Sequence, residues 1–156
     1  MNSRIEQQAI GLGDEYSIYD LHGRADVGAL VDALGGHVDV EFDPSDRSES
    51  LHVRSKNDFV IVLPSNTSVV RDRFTIAHEI GHLILHYKAS GEASFNRYGR
   101  NRQEAEANAF AAALLMPAAQ FAKAYADLDG NISAVADRFS VSQSSAIVRA
   151  QVLKLT

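Results

Sequence analysis

The chain has no cysteine, and only three prolines and two methionines. Without cysteine there is no disulfide framework, no thiolate metal site and no cysteine nucleophile. It also lacks an apolar run long enough to span a bilayer. The longest, Ala109 to Ala119, is interrupted by Pro117. Met1 to Tyr16 holds no apolar run, so no signal peptide is expected. A basic excess is missing too. Fifteen Lys and Arg stand against twenty Asp and Glu, a net charge of −5, which disfavours non-specific nucleic-acid binding by the whole domain. There is no internal repeat, low-complexity tract or clear linker. What remains is 156 residues, 46% hydrophobic and 22% charged, which is ordinary globular composition and a length suited to one domain. A cytoplasmic protein with no membrane association is expected.

Residues 1–23 are polar and punctuated by Gly11, Gly13 and Gly23, and they read as a partly ordered arm. Asp26 to Leu34 predicts a helix, with Val27, Leu30, Val31 and Leu34 at i, i+3, i+4 and i+7 and Gly35-Gly36 at its end. His37 to Phe42 alternates strictly and predicts a strand with Val38, Val40 and Phe42 on its buried face. Asp43-Pro44-Ser45-Asp46 is a turn signal. A second strand is expected at Leu51 to Arg54, joined through Ser55-Lys56-Asn57-Asp58 to a third, Phe59 to Leu63. That third strand is continuously apolar and β-branched, as a central strand buried on both faces would be. The sheet expected is small, three-stranded and mostly antiparallel.

Ser65 to Ser68 offers N-cap candidates for a long helix over Val69 to Tyr87. This helix carries His78-Glu79-Ile80-Gly81-His82, a His-Glu-x-x-His motif. Helix positions four apart differ by about 40°, so His78 and His82 can aim at one point. Glu79 stands beside them, within reach of a water at that point. Two imidazoles and a neighbouring carboxylate are what a hydrolytic zinc site draws from one helix. The flanks Phe74, Ile76, Ala77, Ile80, Leu83, Ile84 and Leu85 are apolar on nearly every side, so the helix is buried and its polar residues need partners. Gly81 reads as a packing device that lets a neighbouring backbone approach closely. His86 is rotated about 80° from His78, so it is expected not to ligate a metal but to support the site or to sit as a core histidine hydrogen-bonded to backbone.

Lys88 to Asn101 reads as a polar loop, a solvated connection or a rim of Lys88, Arg97, Arg100 and Arg102 facing a substrate. Arg102 to Met116 then predicts an Ala-rich helix ended by Pro117. Its small side chains permit close helix packing. Glu104 and Glu106 lie about 200° apart on it, so only one can face the motif helix. Glu104 is favoured as a third ligand, because Asn108 one turn later shares its face and can hydrogen-bond a ligating histidine. Glu106 is expected to point away, towards solvent. A His₂Glu set leaves a position for water. Tyr87, Tyr98 and His86 are candidate donors to a developing oxyanion. Ala118 to Leu128 predicts another helix, and Ile132 to Leu153 two short ones around Phe139-Ser140-Val141-Ser142, in the shape of a helix-turn-helix. Its basic residues, Arg138, Arg149 and Lys154, make only a thin face for DNA. A catalytic core over about 24–118 with a helical appendix over 119–156 is the simplest division.

Arg73 to His86, followed by Glu104-x-x-Ala107-Asn108-x-Phe110-Ala111-x-x-Leu114-Leu115-Met116-Pro117, resembles the ImmA/IrrE family of metallo-endopeptidases. The resemblance is dense over residues 60–118, and Val135 to Val148 is similar to the helical segment that often follows. It implies an α+β, zincin-like fold with a small sheet beside the motif helix. It implies His78, His82 and Glu104 as zinc ligands, with manganese as the alternative metal, and Glu79 as catalytic base. It also implies a bacterial or phage protein substrate, a helix-turn-helix repressor whose cleavage relieves repression. The rival from another class is a non-catalytic zincin-like module that regulates a repressor or toxin by occupancy. A deformylase-type hydrolase is set aside, because its cysteine ligand is missing.

Overall fold

The computed structural model describes residues 1–42, 49–88, 90–96 and 101–156. Its elements are α1 (Ser3–Glu15), α2 (Val27–Leu34), β1 (Gly36–Glu41), β2 (Ser50–Ser55), β3 (Asp58–Pro64), α3 (Val69–Leu85), β4 (Ala93–Asn96), α4 (Asn101–Leu115), α5 (Ala118–Asp127), α6 (Ile132–Phe139) and α7 (Gln143–Val152). The class is α+β, as expected. The turn signal at Asp43 to Asp46 lies outside the described residues.

The sheet departs from expectation in two ways. It has four strands in the order β1-β3-β2-β4, and β1 runs parallel to β3. Only β2 with β3 and β2 with β4 are antiparallel. The hairpin across Ser55 to Asp58 forms as read. The connection from β1 to β2 passes over one strand position, and β3 fills the gap between them. The fourth strand, Ala93–Asn96, comes from the stretch expected to be loop. It pairs Phe95 with Leu51 and Ser94 with His52.

The helices cover one face of this sheet. Leu51, Val53, Phe59, Ile61 and Leu63 are buried there, while Val60 and Val62 on the other face are half-buried. So β3 is central, but it is not buried on both faces. At the edge, Val40 is 45% and Phe42 77% exposed, so the apolar face expected of this segment is only partly covered. Gly35 takes the left-handed conformation (φ 92°) that ends α2, and a Cβ there would meet the Asn57 carbonyl.

Residues 1–23, read as an arm, contain a 13-residue helix. Asn2 caps α1 by accepting from the Arg4 and Ile5 amides. Its buried face is Ile5, Glu6, Ala9 and Gly13. The Tyr19 ring lies against Gly13, and its hydroxyl donates to the Leu114 carbonyl at 2.7 Å.

Helices α3 and α4 pack closely. A Cβ built on Gly81 would lie 3.1 Å from Phe110 Cβ and 3.3 Å from Ala107 Cα. Both neighbours belong to the frame of α4, so they give way only if the helix moves.

The C-terminal helices are held to the core by arginines donating to main-chain carbonyls. Arg73 of α3 donates to Phe139, Ser140 and Ala25. Arg24 donates to Asp137 and Arg138. Arg149, 2% exposed, donates to the Met116 carbonyl and forms a two-pronged ion pair with Glu6 of α1, each bond 2.8 Å. Arg149 is therefore not part of a basic outer face.

Two stability predictions follow from this packing. Gly81→Ala gains about 1 kcal/mol of helix propensity but forces α4 outward, a crowding that costs about 1–3 kcal/mol. Urea unfolding should show a net loss, and a variant as stable as wild type would mean that the contact has room. Arg149→Met leaves Glu6 buried without its cation and should cost about 3–5 kcal/mol in the same measurement. A loss below about 1 kcal/mol would show the ion pair to be dispensable.

Candidate metal centre

Helix α3 is started by Ser68, whose hydroxyl accepts from the Arg71 amide at 3.1 Å. Asp72 sits in the first turn, favourable to the helix dipole, and its carboxylate also accepts from the Thr67 hydroxyl. Further along, His78, His82 and His86 recur every four residues and form a stripe. The rings of His78 and His82 meet edge to face at 4.7 Å, and those of His82 and His86 are 5.0 Å apart. Glu79 is 1% exposed in the same turn as His78.

The facing side chains come from α4. Glu104 directs one carboxylate oxygen to His82 Nε2 at 2.7 Å and the other to His78 Nε2 at 3.2 Å. Asn108 Oδ1 stands 2.8 Å from His78 Nδ1. An amide oxygen only accepts, so His78 donates from Nδ1 and keeps the Nε2 lone pair towards Glu104. Asn108 thus has the supporting contact read from its spacing.

His78, His82 and Glu104 each offer one ligand atom, all within 4.8 Å of one another, and together they could hold a metal ion. The donor set fits the group. Ligands bound to tetrahedral zinc at about 2.0–2.1 Å stand about 3.4 Å apart, against the 3.2 and 2.7 Å found here. Small shifts of the half-buried Glu104 suffice. Burial, and secondarily the charge of neighbouring His86, push the His82 pKa down to about 4. The ring is therefore neutral at physiological pH, which is the form that ligates metals.

The remaining sequence candidates are placed as follows. His86 contacts His82 through Nδ1, at 2.8 Å between the two Nδ1 atoms, and Glu106 through Nε2 at 3.1 Å. Tyr87 donates its hydroxyl to the Gly91 carbonyl in the turn after α3. Tyr98, Arg97 and Arg100 lie outside the described residues. Lys88 and Arg102 are exposed. Glu106 corrects the reading that set it towards solvent alone. His86 has rotated along α3 far enough to reach the flank of α4 on which Glu106 stands. Phe95 was also missed. Its ring stacks on His82 at 5.3 Å with 14° between planes, and the signal for it lay in an unassigned strand.

An apolar groove of about 500 Å³ opens between α1, α3, α4 and α7, lined in part by Phe74, Met116 and Val148. It touches this cluster through Asn108, on the Nδ1 side of His78 rather than the Nε2 side. Among the described residues no helix is long and apolar enough to cross a membrane.

A family model described as an IrrE N-terminal-like domain, peptidase family M78, matches residues 37–151. The match runs from β1 into α7 and includes every residue of the cluster. No curated protein matches the chain.

The site predicts an acid response of the metal-stripped protein. Folded His82 resists protonation down to about pH 4, whereas the ordinary value is 6.5. Below that ordinary value the unfolded chain binds more protons, so stability falls as pH drops from 6.5 towards 4. The His82 share should be about 2–3 kcal/mol by about pH 4.5. Urea unfolding at neutral and acid pH should show a smaller acid loss in His82→Gln than in wild type. Identical losses would refute the assignment.

Proposed function

The chain belongs to the M78 peptidase family of IrrE N-terminal-like domains, and on that premise we propose that it is a zinc-dependent endopeptidase acting on a helix-turn-helix repressor in the cytoplasm of a bacterial cell. The observation that carries the reading is the convergence of His78 Nε2 and His82 Nε2 on the Glu104 carboxylate, with Glu79 buried in the same turn. His78, His82 and Glu104 are the proposed ligands. A zinc ion there would polarise a peptide carbonyl and bring the pKa of water towards about 7.

The chain's own residues do the rest. Asn108 holds His78 in the tautomer with a bare Nε2. Burial keeps His82 neutral. The Glu79 carboxylate accepts a proton from the attacking water and returns it to the leaving amine nitrogen, so one group serves as base and then acid. Glu79 is 1% exposed, so its electrostatic interactions are poorly screened. The absence of cysteine agrees with a reducing compartment but does not require one. The repressor substrate rests on the family resemblance.

Glu79→Gln should keep stoichiometric zinc and lose cleavage by about 10²–10⁴-fold. The assay is hydrolysis of candidate helix-turn-helix repressors drawn from the reading frames neighbouring this gene, followed by gel and mass spectrometry, with zinc content measured on the same samples. A variant that still cleaves would remove Glu79 as base. A variant that relieves repression as well as wild type would replace catalysis with regulation by occupancy.

A further inference from the structure

We propose that His86 and Glu106 form a positioning chain that fixes which nitrogen of His82 carries its proton, and so presents the bare Nε2 to a metal. This rests on the reading of His78, His82 and Glu104 as a metal site. Four groups stand in line: Glu104, His82, His86 and Glu106. The contacts are 2.7 Å from Glu104 Oε1 to His82 Nε2, 2.8 Å from His82 Nδ1 to His86 Nδ1, and 3.1 Å from His86 Nε2 to Glu106 Oε1. The line leads from a ligand side chain that is 3% exposed to a carboxylate that is 33% exposed.

Two ring nitrogens facing each other at 2.8 Å share one hydrogen, so one donates and the other accepts. Taken alone, the imidazole pair runs equally well in either direction. Without a metal the two carboxylates compete, because Glu104 Oε1, 2.7 Å from His82 Nε2, also only accepts and demands a hydrogen there. A metal shared by His82 Nε2 and Glu104 removes that demand, and Glu106 then sets the direction. An ionised carboxylate only accepts, so the His86 hydrogen sits on Nε2, facing Glu106. The neutral His86 ring then has a bare Nδ1, and this accepts from His82 Nδ1–H. A neutral His82 with its hydrogen on Nδ1 has its lone pair on Nε2, the nitrogen aimed at Glu104 and His78. Reversing the chain would set a bare His86 Nε2 against the Glu106 carboxylate and move the His82 hydrogen onto the atom needed for ligation. The arrangement parallels Asn108 on His78, so each histidine has its Nδ1–H held by a partner on a different side.

The test measures zinc affinity by competition with a chromogenic chelator, for wild type, His86→Phe, Glu106→Ala, Glu106→Gln and the double variant His86→Phe/Glu106→Ala. His86→Phe should weaken binding about 10–100-fold and Glu106→Ala about tenfold. Glu106→Gln should recover part of the loss, because an amide oxygen still accepts from His86 Nε2–H. The double variant should bind no more weakly than His86→Phe alone, since Glu106 acts through His86. Unchanged affinity in Glu106→Ala, or losses that multiply in the double variant, would overturn the chain. Nitrogen-15 spectra of the imidazoles in the zinc-loaded protein give a second readout. His86 should carry its hydrogen on Nε2, and finding it on Nδ1 would also overturn the proposal. If wild type takes up no zinc, the metal reading itself fails. The chain then fails with it, because without a metal Glu104 claims the hydrogen on His82 Nε2, whereas zinc uptake by wild type with unchanged affinity in Glu106→Ala removes the chain alone.

Discussion

The close packing of α3 on α4 is the constraint from which the site follows. The two helices meet where Gly81 faces Ala107 and Phe110, without a Cβ to hold them apart. Four polar contacts of the cluster span this seam: His78 with Asn108, His78 and His82 with Glu104, and His86 with Glu106. Side chains such as Asn and Glu reach only a few ångströms from their backbone. Moving the helices apart by one methyl layer would separate the facing groups together. The Ala-rich composition of α4 is thus a condition of the chemistry as much as a helix-forming preference.

The sequence was most legible where the controlling interactions are local. The ends of α2 and α3 follow from capping residues, Asp26, Gly35 and Ser68, that act within a few positions. The pairing of His78 with Asn108 and Glu104 could be read because spacing on two helices defines two facing stripes. Legibility failed where long-range pairing makes the element. Ala93–Asn96 has a weak strand signal and is a strand because β2 offers it an edge. Parallel pairing of β1 with β3 depends on a chain crossing that periodicity does not record. Helix α1 was missed because its buried face has a single large apolar residue, Ile5, beside Glu6, Ala9 and Gly13. Apolar periodicity is faint there, and Glu6 needs a partner far along the chain.

Arginine has an unusual place in this structure. Arg24 and Arg73, and Arg149 through its Nε, donate to main-chain carbonyls, mainly at the C-terminal ends of α4 and α6, where helices carry unsatisfied acceptors and partial negative charge. The α6–α7 pair has the outline of a helix-turn-helix, but its turn carbonyls face the core arginines. One of its few basic residues, Arg149, is internal. Shape alone would have suggested nucleic acid. The disposition of donors ties the segment to the rest of the fold.

The bond between Glu6 and Arg149 joins positions 143 residues apart. At about 5–20 residues per second, the second partner leaves the ribosome roughly 7–30 s after the first. Through that interval a 13-residue helix is marginal in water by itself. Arg73, on the helix that carries the histidines, likewise waits for Phe139 and Ser140 before its Nε and one of its terminal nitrogens are engaged. The order of synthesis is therefore the reverse of the order of consolidation. The earliest-made helix is among the last to be secured, and a nascent chain paused before Phe139 carries the histidine helix without the carbonyls that hold Arg73.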